Sequence, residues 1–234
     1  MAVGSYDANG IWQYGESDNI SPFATTLNKL ASSASSAFTS DRSRLATLEA
    51  GSLAGLIPVA PTSVSVAGGT AAANSVGTVT FTNATSISLN SVFTSKYKNY
   101  RVMLNFTGFS ANNDVFLRLR AAGTDSTSSY TYAGNVMNTA SAAGSWVANN
   151  ASYFHLASNF ATYANRARHF FEIWQPQSPI FTSIFWNSFA DNGTVWNHLT
   201  ASGTHTVTAQ YDGLTLYPSA GNMTGTITVY GWNN

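Results

Sequence analysis

The chain of 234 residues contains no cysteine. Disulfide staples and thiolate metal sites are therefore excluded, and packing, strand pairing or oligomerisation must hold the fold together. Charge is almost as scarce. Ten basic and ten acidic residues make up 9% of the chain, where an ordinary globular domain has about 25%, and the formal net charge is zero. A nucleic-acid binder concentrates Lys and Arg for phosphate contacts, whereas the densest basic group here, Arg118, Arg120, Arg166 and Arg168, alternates with apolar residues as a strand surface does. Nucleic acid is not an expected partner. No run of about 18 apolar residues occurs, and residues 1–18 lack the basic start and apolar stretch of a secretory leader. The expectation is a soluble protein without membrane insertion or a cleaved leader.

What the chain does have is 44% hydrophobic and 13% aromatic residues set among Ser, Thr, Ala, Asn and Gly. That mixture suits β-sheet with many turns. Residues 1–22 read as a polar and aromatic arm in which Ile11, Trp12 and Tyr14 stand among turn formers. The arm is too short to have a core of its own, so it must dock on something. From Ser21-Pro22 the pattern becomes helical, and Leu27, Ala31, Ala34, Phe38, Leu45 and Leu48 recur at steps of three and four, interrupted by Asp41. A narrow apolar stripe backed by Ser, Thr, Lys and Arg predicts a helix that packs against copies of itself, as a homodimer or homotrimer stalk over 23–53. Two Gly and two Pro then mark a linker over 54–60.

The head, 61–234, shows about ten short alternating runs, among them Tyr100 to Phe106, Val115 to Leu119, His169 to Trp174, Phe181 to Phe189, Val207 to Tyr211 and Thr226 to Trp232. The fold class expected is mostly β, an antiparallel β-sandwich of jelly-roll type behind a helical stalk. Alternation puts Tyr100, Val102, Leu104 and Phe106 inside and Arg101, Arg118 and Arg120 outside. Between Gly123 and Asn165 the strand signal fades into a stretch rich in Ser, Ala and Asn, read as a long binding excursion.

Acid–base catalysis needs carboxylates brought together, and the head has only Asp114, Asp125, Asp191, Asp212 and Glu172, mostly in turn-like text. Glu172 is expected to pair with Arg168 or Arg120. His155, His169, His198 and His205 show no zinc spacing, and no phosphate loop, dinucleotide fingerprint or nucleophile elbow is present. Hence no enzyme, no metal and no cofactor is expected. The remaining resource is aromatic: sugar rings stack on Trp and Tyr while amides bind their hydroxyls, which nominates Tyr130, Tyr132, Trp146, Trp196 and Asn192 as ligand contacts.

Three phrases resemble tail fibre or minor tail proteins of bacteriophages that infect actinobacteria. They are Asn9-Gly-Ile-Trp-Gln-Tyr-Gly-Glu-Ser-Asp18 followed by Ser21-Pro-Phe-Ala-Thr-Thr-Leu-Asn28, then Phe93-Thr-Ser-Lys-Tyr-Lys-Asn-Tyr-Arg-Val102, and the ending Gly225-Thr-Ile-Thr-Val-Tyr-Gly-Trp232. The resemblance implies a virion protein and a homotrimer. Its arm, with Ile11, Trp12 and Tyr14, would attach to other tail or baseplate proteins, and its head would touch host cell-surface glycan.

Overall fold

A computed structural model describes residues 4–14, 23–49, 55–140, 143–160, 167–191 and 195–232. Contacts divide the chain into two compact units, Met1–Ala54 and Gly55–Asn234.

The first unit pairs a small hairpin with one helix. Strands β1 (Gly4–Tyr6) and β2 (Trp12–Tyr14) run antiparallel. Their turn is closed by Asp7, whose Oδ1 accepts the N–H groups of Asn9 at 2.8 Å and Ile11 at 3.0 Å. Those bonds favour the charged carboxylate and hold Asp7 below its ordinary range. Tyr6 meets Trp12 edge to face at 5.1 Å. Helix α1 (Phe23–Glu49) has 27 residues, a rod of about 40 Å. The hairpin lies on it, with the Asn9 amide donating to Thr39 Oγ1 at 3.3 Å. Leu27, Ala31 and Ala34 are half-buried, while Leu30 (68%), Phe38 (57%) and Leu45 (55%) are exposed. Hydroxyls of Ser33, Ser36 and Thr39 bond back to carbonyls four residues earlier, a habit that weakens an isolated helix. Only the backbone of Tyr14 and Leu48 is described.

Among its described residues, the second unit is built of antiparallel sheets. Strands β3 (Ile57–Val59), β4 (Ser63–Ala67), β5 (Thr70–Ala73), β6 (Val79–Ala84), β7 (Ser86–Asn90), β8 (Asn99–Phe109), β9 (Asn113–Ala121) and β10 (Thr124–Asp125) lead. They are followed by β11 (Tyr130–Asn138), β12 (Ala143–Ala151), β13 (Phe154–Phe160), β14 (Ala167–Trp174), β15 (Thr182–Asp191), β16 (Trp196–His205), β17 (Gly213–Pro218) and β18 (Met223–Trp232). The smaller sheet runs β10-β9-β17-β7-β4 with β13 also on β9. The larger runs β12-β11-β16-β15-β14-β8-β18-β6-β5 with β3 also on β18. Inward residues of both sheets form one core, including Phe81, Leu104, Phe106, Leu117, Phe154, Phe171, Trp186, Leu216 and Ile227. Each large side chain so buried stabilises the fold by about 1.5–3 kcal/mol, which lets a chain without disulfides hold its shape.

The expected strand faces of β8 and β9 agree with this burial. Several expectations do not. The linker expected at 54–60 contains β3, which pairs Ile57, Pro58 and Val59 with the C-terminal strand, so the head begins before residue 61. The excursion expected between Gly123 and Asn165 contains four strands, the short β10 and then β11, β12 and β13. Residues 207–211, read as a strand, are irregular. Glu172 pairs with neither Arg168 nor Arg120 but with Arg101, directly opposite it across β8 and β14.

The hidden strands have a physical reason to look like loops. Inner-face positions in β11 and β16 include Gly134 and Gly203, because the opposing side chains leave no room: a Cβ at Gly203 would lie 2.7 Å from Tyr132 Cβ and 2.8 Å from the Phe154 ring. Glycine inside a strand removes the sequence signal of that strand.

Candidate binding face

Tyr130 and Tyr132 are core residues, 0% and 7% exposed, which corrects their assignment as ligand contacts. The Tyr130 hydroxyl accepts the Leu119 N–H at 2.9 Å and donates to the Ser126 carbonyl at 3.0 Å, linking the large sheet to the small one. Burial pushes the Tyr132 hydroxyl up to about 12 and the Tyr130 hydroxyl higher still. Trp146 is half-buried and tilts over His155 at 3.9 Å, so edge strand β12 folds its indole against edge strand β13 and closes that side of the head. Trp196 is exposed at 45%, at the start of β16, where its N–H donates to Thr139 Oγ1 at 3.1 Å. Asn192 lies outside the described residues. The proposed ligand set is therefore not assembled into one surface.

The strands do assemble another surface. Because neighbours along a strand face opposite sides, the residues adjacent to the buried tyrosines, Thr131 and Ala133, face outward. Cross-strand register extends each into a row. Trp174, Ser183, Thr204 and Thr131 stand side by side on β14, β15, β16 and β11. Two residues along, Glu172, Phe185, Ser202, Ala133 and Val147 form the next row, reaching β12. Small side chains in the middle and large ones at the ends leave a trough of about 610 Å³, lined also by Asn149 and Thr206. At about 4.8 Å per strand, Trp174 and Val147 stand about 19 Å apart across it. Trp174 is 48% exposed and Val147 75%.

No charged side chain lines the trough among the described residues. At one end of the second row, Arg101 and Glu172 bind each other and so offset each other's charge. Further along the same face Met103, Met137 and Phe189 are each about half exposed, and the Phe189 ring stacks on His198, which stands between it and Met137, at 4.4 Å. The small sheet's outer face is different in kind. Ser88 and Thr215 share a hydrogen bond of 2.8 Å, and Arg120 binds Asp125, Asn90 and Thr215. That face also carries the ring cluster of Phe116, Tyr153 and Tyr217 under Arg118, whereas the trough on the large sheet is open and, among the described residues, lined by no charged side chain.

The carboxylates are dispersed into structural work. Asp125 is bound by Arg120 and Thr215, Glu172 by Arg101, and Asp212 accepts the Ala122 N–H at 3.1 Å. Asp114 stands 3.4 Å from His155. Among the described residues no three His, Asp or Glu gather as metal ligands. His205 is buried between Ser126 Oγ at 2.8 Å and the Tyr211 hydroxyl at 3.0 Å, and burial holds its ring below the ordinary range. Among the described residues, no helix is long and apolar enough to cross a membrane.

No protein-family model and no curated protein matches the chain. Among solved structures, it is similar to the laminarinase catalytic domain of Thermotoga maritima, at 12% identity over 70% of this chain and 75% of that one, with a TM-score of 0.21. The endo-1,3-beta-glucanase (laminarinase) catalytic domain of Thermotoga petrophila aligns at 12% identity over the same shares, with a TM-score of 0.20. Likenesses of that size carry no argument about activity.

Proposed function

We propose that the chain is a non-enzymatic virion structural protein of the tail-fibre kind, a homotrimer joined through α1, whose N-terminal hairpin meets other tail or baseplate proteins and whose jelly-roll-like head contacts host cell-surface glycan. The observation that carries this reading is the stripe on α1. Ala31, Phe38 and Leu45 recur every seven residues, as do Leu27 and Ala34, with Leu48 fourteen further on past the interrupting Asp41, and Phe38 and Leu45 stand more than half exposed in the single chain. A seven-residue apolar period matches a neighbouring helix with the same period, because supercoiling keeps such a seam in register. The thin, alanine-containing seam and the back-bonding serines make the lone helix marginal, so association and helix formation support each other. The resemblance of both chain ends to phage tail proteins supports the location.

Light scattering on the full chain tests this directly. A mass near three times 24.9 kDa is expected, falling for a chain that starts at Gly55, and a full chain that runs as a monomer would overturn the stalk. A second reading, a capsid decoration or tail-assembly protein without receptor role, is favoured by the exposed Met103, Met137 and Phe189, which suit lateral packing of heads. Locating the protein in intact particles separates the two, since a decoration protein follows the capsid lattice.

A further inference from the structure

We propose that the trough between Trp174 and Val147 is a binding site for an uncharged oligosaccharide, whose apolar ring face lies on the Trp174 indole while its hydroxyls bond to the floor. The proposal rests on the reading of the head as a binding module and adds the place and the chemical class of ligand.

The trough's chemistry selects among occupants. Its volume of about 610 Å³ falls inside the range of about 300–1,000 Å³ typical of small-molecule sites. Its middle is a row of hydroxyl groups, Ser183, Thr204 and Thr131, with Ser202 beside them and Asn149 at one end. The Thr131 hydroxyl already donates to Asn149 Oδ1 at 3.0 Å, but an apolar partner would leave the hydroxyls of Ser183, Ser202 and Thr204 without hydrogen bonds, at a cost for each one desolvated. An acidic ligand would need a cation, and among the described residues none lines the trough. An added β-strand needs a free sheet edge, whereas the floor of this site lies on the face of β14, β15, β16 and β11, each paired on both sides, and edge strand β12 contributes only its end wall. What remains is a ligand with both a flat apolar face and many neutral hydroxyls. A pyranose has both, one for Trp174 and the other for Ser202 and Thr204. The large sheet twists as antiparallel sheets do, which suits a short chain of rings laid across strands rather than a flat aromatic ligand.

The full chain would be titrated with uncharged tetrasaccharides of glucose, mannose and galactose, and with tetragalacturonate as the charged control, while tryptophan fluorescence is followed and mass is measured by light scattering. At least one neutral tetrasaccharide should give saturable quenching that tetragalacturonate does not. Trp174→Ala should weaken that binding at least about tenfold, and Ser202→Arg should abolish it, both at unchanged mass and melting temperature. Neutral sugars that bind no better than tetragalacturonate, or that bind both variants as they bind the parent, would overturn the site. A change of mass in either variant would also overturn it, since the trough would then be covered by a second copy. The mass of the parent reports separately on the stalk. A monomer that binds sugar keeps the trough and loses the fibre, whereas a trimer that ignores every neutral sugar does the reverse.

Discussion

Tyr130 and Leu119 join the two sheets of the head through one hydrogen bond of 2.9 Å, from the Leu119 N–H to the tyrosine hydroxyl, in a place where no water reaches the ring. Removing the hydroxyl leaves that N–H buried without a partner and also frees the Ser126 carbonyl. Tyr130→Phe should therefore lower stability by about 1–3 kcal/mol, read as a shifted urea midpoint, and leave sugar binding in the folded protein unchanged. A binding loss at full stability would return Tyr130 to the ligand surface.

His169 and His205 predict how stability depends on pH. His169 is buried against the Phe106 ring with Arg168 beside it, and burial, helped by that charge, pushes it down to about 3, while burial also lowers His205. Both are neutral when folded, yet each takes a proton near pH 6.5 in the unfolded chain. Their contribution is complete above pH 6.5. It is lost as pH falls from there toward the lowered folded values, with a slope of up to about 1.4 kcal/mol per pH unit for each ring. Urea midpoints at pH 7.5, 6 and 5 should fall in that order, and His169→Leu should flatten the decline.

Gly203 predicts a steric limit. A Cβ there would approach Tyr132 Cβ at 2.7 Å and the Thr131 carbonyl oxygen at 2.8 Å, and neither is the free end of a flexible side chain. Gly203→Ala should cost about 1–3 kcal/mol through forced backbone shifts, measured by thermal melting. Gly144→Ala on the exposed edge strand β12, where the nearest atom is a Val136 methyl at 3.2 Å, should cost less.

These positions also explain how much was legible in the sequence. The helix and the strands with strong alternation, such as Tyr100 to Phe106 and Thr226 to Trp232, declare themselves because large residues alternate with polar ones. Strands β11, β12 and β16 do not, since Gly134 and Gly203 replace core side chains inside while Thr131, Ala133, Ser202 and Thr204 keep the trough floor low outside. The same economy that makes the trough removes the strand signal around it. Tyr130 and Tyr132 stand out as aromatics in text that reads as loop, and only the strand that the structure shows there turns both rings inward. Trp174 and Phe185 were visible as strand residues, but only the register of β14 with β15 and β16 brings them beside those small residues.

The stalk yields the last prediction. Phe38 and Leu45 lie one heptad apart and stand 57% and 55% exposed, whereas Leu27, Ala31 and Ala34 are half-buried. If α1 is the seam of an assembly, charges at these two positions would face one another in every copy, desolvated and of like sign, which a coiled-coil core does not tolerate. Phe38→Asp with Leu45→Asp should reduce the mass to about one chain of 24.9 kDa and lower the helical signal at 222 nm, because the helix loses its partners. The head should keep its own melting transition, since Phe38 and Leu45 belong to the other compact unit. An unchanged mass would mean that the copies, if they associate, do so through the head, and the exposed Met103, Met137 and Phe189 would become the next places to substitute.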